Sequence, residues 1–271
     1  MAGRNTPLEL ASIKVAVIDL DGVVYRGKTM IAGADAAISN LRQYGLQVVF
    51  ATNSSTRTRA DIAEKLNNMG IPAKDDDVLT SAYVAGLLIR RIGVNNKVLV
   101  IGTEGLKEEI VQVGAMVVTG PPCDMVVVGM DTAFSYEKIR LAMEAIAGGA
   151  VFVACNRDAS FPGDNGRMFP GCGPMVAAVE AAVGFPPQHM VGKPNVLMME
   201  IIAARYHVRP DQMLVIGDGI ENDIQMAVAF GSPSVLVAPG AFDFNPGTFG
   251  PSCVVGSLVE LPALLEGKAR F

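Results

Sequence analysis

Two aspartates one residue apart, Asp19 and Asp21, close the apolar run Val15-Ala16-Val17-Ile18, and Gly22 follows them. Four apolar residues running into polar ones read as a short buried strand, and its polar end is where the chain leaves the sheet. Extended backbone sends every second side chain to the same side, so the two carboxylates are expected to face the same way. Like charges that close require a cation or a proton between them. Such a pair suits metal binding or acid–base chemistry.

Two further expected strand ends carry related groups. Residues 47–51 run into Thr52-Asn53-Ser54-Ser55, and residues 212–216 run into Gly217-Asp218-Gly219, with Asp223 just beyond. In open α/β sheets ligands sit outside the carboxyl ends of the strands, which is where all three clusters fall. If the carboxylates of Asp19, Asp21 and Asp218 converge, each like pair at ~4 Å costs ~4 kcal/mol at an effective dielectric of 20. Mg2+ relieves that repulsion, since it takes a few carboxylate oxygens, waters and a substrate phosphate. Lys193, in Val191-Gly192-Lys193-Pro194, adds a positive point charge at an expected helix start. The set suits a phosphate dianion approached by a carboxylate, an approach that cations must screen.

The elements that must hold these residues alternate between strand-like and helical runs, which predicts an α/β fold with a parallel sheet flanked by helices. Ala34, Ala37, Ile38 and Leu41 repeat at helical spacing, and Gly45 stops that helix. A second helix reaches Met69, and a third, capped by Thr80 or Ser81, reaches Arg91. Strands at 97–101, 124–129 and 151–155 then alternate with helices at 104–113, 136–147 and 174–183. These apolar strands predict an inserted domain over 81–187 within a core made of 1–80 and 188–271. From Val191 the first pattern resumes, with a helix from Pro194 to His207, strands at 212–216 and 234–237, and a short helix near 258–265. Loops are expected at 156–173 and 239–251.

Composition narrows the function. The chain has 271 residues, half of them apolar, and mean hydropathy is +0.36, which supports a sizeable core and is compatible with a homodimer. The net charge of −5, with no basic run, argues against nucleic acid. No apolar run reaches the roughly 18 residues of a membrane span, and the N-terminus lacks a secretory pattern. The four cysteines, Cys123, Cys155, Cys172 and Cys253, show neither C-x-x-C nor regular spacing, so reduced thiols in a cytoplasmic protein are expected. His189 and His207 have no metal-ligand spacing.

Four motifs occur in order: Asp-Leu-Asp-Gly-Val-Val-Tyr-Arg-Gly from Asp19, Thr-Asn-Ser-Ser-Thr-Arg-Thr-Arg from Thr52, Gly-Lys-Pro around Lys193, and Gly-Asp-Gly-Ile-Glu-Asn-Asp from Gly217. The chain thereby resembles the haloacid dehalogenase (HAD)-like hydrolase superfamily, and within it the type IIA capped branch of 4-nitrophenylphosphatases, phosphoglycolate phosphatases and nucleotide or sugar phosphatases. The resemblance implies a Rossmann-like core with an inserted α/β cap, and a Mg2+-dependent phosphatase that cleaves a small phosphorylated metabolite through an aspartyl-phosphate. It implies Asp19 as nucleophile and Asp21 as general acid and base. Thr52 and the Asn53 N–H would hold phosphoryl oxygens, and Lys193 would neutralise charge. Mg2+ would sit on Asp19, Asp218 and the backbone carbonyl of Asp21, while Asp223 would orient Lys193 or metal-bound water.

In the cap loop, Asn156, Arg157 and Arg167 are expected to reach the far end of the substrate. Cys155, where many relatives have threonine, and Cys172 suggest an oxidation-sensitive activity. A phosphomutase, or a phosphoaspartate signalling or binding protein, would use much the same residues.

Overall fold

The computed structural model describes residues 10–93, 97–162, 167–238 and 250–262. These pack as two compact units. The first takes the chain up to Thr52, residues 63–78 and the described residues from Lys193 on; the second takes Asn53–Ile62 and Leu79–Gly192. Beyond the insertion at 81–187 read from the sequence, the second unit thus also includes 53–62, 79–80 and 188–192.

The first unit is built on β1 (Val15–Ile18), β4 (Gln47–Thr52), β13 (Met213–Gly217), β14 (Ser234–Val237) and β15 (Cys253–Val255). With β5 (Val78–Thr80), which crosses into the second unit, they form one sheet in the order β15-β14-β13-β1-β4-β5. Every residue of β1 and β13 is buried, as expected of central parallel strands covered on both faces. Register decides what happens at their ends. Ile18 lies opposite both Phe50 and Ile216, so β1, β4 and β13 reach their carboxyl ends at one level. A small ribbon, β2 (Tyr25–Arg26) with β3 (Thr29–Met30), follows the first aspartates. Helix α1 (Ala34–Gln43) buries Ala34, Ala37, Ile38 and Leu41, the stripe visible in the sequence. Helices α7 (Leu197–Tyr206) and α8 (Gln225–Phe230) complete the unit, and α2 (Arg59–Asn68) has residues in both units.

The second unit holds its own parallel sheet, ordered β12-β9-β8-β6-β7. Its strands are β6 (Lys97–Ile101), β7 (Met116–Val118), β8 (Met125–Val128), β9 (Val151–Ala154) and β12 (His189–Met190). Helices α3 (Ser81–Ile92), α4 (Glu104–Gln112), α5 (Tyr136–Ala147) and α6 (Gly173–Val183) accompany it. Thr80 and Ser135 cap α3 and α5, their hydroxyls accepting the N–H groups of Tyr83 and Lys138.

Several expectations need correction. The stretch 156–173 is not all loop: β10 (Ser160–Pro162) and β11 (Met168–Pro170) pair antiparallel inside it. The strands β7, β12 and β15 were not expected either, because two or three residues are too few for a periodic signal. Pro194 does not open a helix; α7 starts only at Leu197. The loop at 239–251, apart from 250–251, and the last three residues of the helix at 258–265 fall outside the described residues. Among the described residues, no helix is long and apolar enough to cross a membrane.

The thiols are another correction. Cys155 and Cys172 are both buried. Burial pushes Cys172 up to about 12, and burial followed by its neighbour Cys172 raises Cys155 well above the ordinary thiol value. Thiolates, not thiols, are the nucleophiles, so these two are poor targets for oxidation. In the native protein, a disulfide reagent such as Ellman's is expected to modify half-buried Cys123 first and to reach Cys155 and Cys172 only on unfolding; rapid native labelling of either would contradict this. Phe50, fully buried in β4, provides a second check. Phe50→Ala is expected to destabilise the fold by about 3–5 kcal/mol, read from the denaturant midpoint.

Candidate active site

The level strand ends of the first unit bring the polar residues together. Asp19 is the first residue past β1, and its N–H donates to the Ile216 carbonyl at 2.8 Å, tying it to β13. Asp218 is the first residue past β13. The chain then makes a single wide turn, Ile220–Ile224, which carries Asp223 back toward the strand. Only glycine fits where it returns: a Cβ on Gly217 would lie 2.2 Å from the Asp223 carboxyl carbon. Gly22, at φ +87°, serves the same purpose for Asp218, since a Cβ there would lie 1.8 Å from Oδ2.

Lys193 binds this group together. Its Nζ donates to Asp19 Oδ1 at 2.5 Å, to Asp223 Oδ1 at 2.7 Å and to the Ala51 carbonyl at 3.1 Å. Its three protons therefore reach the end of β1, the end of β4 and the turn after β13. The side chain is 3% exposed. Burial works against the Lys193 charge, but Asp19 and Asp223 outweigh it and hold the ammonium above its ordinary pKa. The other oxygen of Asp223 accepts the Gly219 N–H at 3.2 Å, so this carboxylate is engaged at both ends.

Asp19, Asp218 and Asp223 each offer one oxygen, and these oxygens all lie within 4.8 Å of one another. Three carboxylates face one ammonium. Burial pushes Asp19 up to about 8; Lys193 pulls it down, and Asp223 and then Asp218 push it up again. Displaced water and the charge of Asp223 likewise raise Asp218 to about 6. The group is short of positive charge and rich in hard oxygen donors, and a divalent cation such as Mg2+ fits both conditions.

The trio differs from the one expected first. The strand ends at Ile18, so alternation does not extend to Asp21, whose carboxylate is not among the three. Asp21 is exposed, and its backbone bridges to Tyr25 in the loop before β2. Its carboxyl is raised by loss of water, opposed by Lys65 and by a hydrogen bond from the Gly27 backbone. Lys65 was not singled out from the sequence, where it reads as an ordinary helix-surface lysine. Its Nζ lies 3.2 Å from the centre of the Tyr25 ring, which fixes a second cation near Asp21.

Thr52 ends β4 and is buried. Asn53 belongs to the second unit, where its side chain donates to Asp158. Asn156 is buried as well, donating to the Asn53 carbonyl and accepting the Asp158 N–H. Both ends of the Asn156 amide are thus used within the protein. Arg157 is exposed and pairs with Glu180 at 2.6 Å, and Arg167 is exposed.

Comparisons with known proteins agree with this geometry. A family model described as haloacid dehalogenase-like hydrolase matches residues 16–116, and a HAD-hydrolase-like model matches 190–261. The sugar-phosphatase AraL of Bacillus subtilis is 33% identical over 268 residues, covering 98% of this chain and 97% of its own. A p-nitrophenyl phosphatase from Archaeoglobus fulgidus superposes with a TM-score of 0.86 at 29% identity, over 93% of this chain and 99% of that one. The glycerol phosphate phosphatase of Mycobacterium tuberculosis, solved in complex with magnesium, gives 0.83 at 32% identity, over 94% of this chain and 78% of that one. With these matches along nearly its whole length, the chain belongs to the haloacid dehalogenase-like hydrolase family, as an enzyme of its type IIA phosphatase branch.

Proposed function

We propose that the protein is a divalent-metal-dependent phosphatase that hydrolyses a small sugar or polyol phosphate through an aspartyl-phosphate on Asp19. The observation that carries this reading is the ammonium of Lys193 bonded at once to Asp19, Asp223 and the end of β4. It orients a carboxylate at a site where phosphate must be approached by negative charge. The name of the sugar-phosphatase relative supports the substrate class.

In the first step, one Asp19 oxygen attacks phosphorus and the bond from phosphorus to the leaving oxygen breaks. Asp21, in its protonated form, gives its proton to that oxygen, and the alcohol leaves. In the second step, Asp21, now a carboxylate, takes a proton from water. The resulting hydroxide attacks phosphorus, and the bond to Asp19 breaks, which regenerates both carboxyl groups and releases phosphate. Thr52 and the Asn53 N–H hold phosphoryl oxygens while Lys193 keeps Asp19 aimed and partly neutralised. A Mg2+ held by Asp19, Asp218 and the backbone carbonyl of Asp21 would screen the charge of the phosphoryl group. Asp223 works indirectly, through Lys193. Four free, largely buried thiols are consistent with a cytoplasmic location.

Turnover of 4-nitrophenyl phosphate tests the roles. Asp19→Asn is expected to lose more than about a thousandfold in kcat with the fold intact. Asp21→Asn is expected to lose about 10²–10⁴-fold, because it can neither give nor take the proton. A folded Asp19→Asn protein with near-normal turnover would overturn the proposal. EDTA is expected to abolish turnover and added Mg2+ to restore it, while a phosphate-release screen over sugar and polyol phosphates would identify the substrate.

A further inference from the structure

The stretch after Thr52 is fastened residue by residue inside the second unit. The Asn53 carbonyl accepts two hydrogen bonds, from Asn156 Nδ2 at 2.7 Å and from Ser81 Oγ at 2.8 Å, which uses both of its lone pairs. The Asn53 side-chain amide donates to both oxygens of Asp158, at 3.2 and 3.1 Å. Asp158 is itself set by its own N–H, which donates to Asn156 Oδ1 at 3.0 Å. The Ser54 carbonyl also accepts from Ser81 Oγ, at 3.0 Å, and Ser55 Oγ accepts the Met130 N–H at 2.9 Å. Thr103 Oγ1 donates to the Thr56 carbonyl at 2.9 Å, and the Arg59 N–H donates to buried Glu109 at 2.6 Å.

The last residue of the second unit, Gly192, packs against Asn53. A Cβ on Gly192 would lie 2.6 Å from Asn53 Oδ1 and 2.4 Å from the Cys155 carbonyl, so this backbone lies directly against Asn53. Gly192 is the last residue of the second unit and Lys193 the first to follow, just as Thr52 is the last residue before Asn53.

We infer that Asp158, Asn156 and Ser81 form a clasp that aims the Asn53 N–H. They are positioning residues for phosphate binding. The argument is geometric. The Asn53 Cα is tetrahedral, so holding its carbonyl and its side chain fixes the direction of its bond to nitrogen. On the other side of the Thr52–Asn53 peptide stands Thr52, the buried last residue of β4. A donor aimed in this way binds phosphate without first being ordered, and a displacement of about 1 Å can cost about a hundredfold. The inference rests on the proposed role of Asn53 and Lys193 at the phosphoryl group.

The test uses the full-length enzyme with Mg2+, 4-nitrophenyl phosphate as substrate and inorganic phosphate as competitive inhibitor. Asp158→Ala is expected to raise KM and the phosphate inhibition constant together by about tenfold or more, with Tm nearly unchanged. Asp158→Asn keeps an oxygen acceptor for the Asn53 amide and is expected to recover most of the loss. Ser81→Ala should move both constants in the same direction by less. A purely structural clasp would lower Tm and leave the inhibition constant alone, and that result would overturn the inference. Wild-type constants in Asp158→Ala and Ser81→Ala, beside an inert Asp19→Asn, would overturn it while leaving the reaction standing. Turnover surviving in Asp19→Asn would remove the reaction and this inference with it. Should Asp158→Ala fail to melt cooperatively, Ser81→Ala decides by the same two results.

Discussion

A single buried ammonium among carboxylates is the interaction on which the site depends. Lys193 spends its three protons on three separate pieces of chain. Removing one partner of a buried ion pair leaves its counterpart uncompensated, typically at a cost of about 3–5 kcal/mol. The arrangement is nevertheless incomplete as a charge balance. The surplus of carboxylate over ammonium makes the position receptive both to a divalent cation and to the phosphate that such a cation can share.

That interaction is possible because the sheet sets distances. β1, β4 and β13 are in register, so the residues beyond Ile18, Phe50 and Ile216 leave the sheet at one height although they lie far apart in the chain. In strands whose every residue is buried, both faces are packed, and a shift of one residue would exchange the side chains that the two faces present. Small residues finish the fit. At Gly217 and Gly22 the missing Cβ leaves the space that the Asp223 and Asp218 carboxylates occupy.

The second unit contributes in a different way. Its polar residues near the start of the 156–173 stretch are largely spent on the protein itself: Asn156 and Asp158 on Asn53, Arg157 on Glu180. Asn156 is 3% exposed, which suits a structural or positioning role better than direct contact with a substrate's far end. The Phe161 and Phe169 rings of the hairpin stack at 5.9 Å and remain partly exposed.

The local sequence determined the strands with four or more buried apolar residues, the amphipathic α1, the capped starts of α3 and α5, and the identity of the residues that carry charge at the strand ends. Each is a short-range property, set by side-chain period, by a capping hydroxyl or by residue type. The resemblance carried by the motifs went further, to the family. Only the tertiary structure decided which carboxylate oxygens gather most closely: Asp223 joins Asp19 and Asp218, while Asp21 also feels the charge of Lys65. It likewise decided that Asn53 packs with Asp158 and Asn156, about a hundred positions away, that Cys155 and Cys172 are buried, and that two-residue strands find partners. Those facts depend on which distant segments share a neighbourhood. Register and packing set that, because the energy of a buried charge or an edge strand comes from partners that no local window contains.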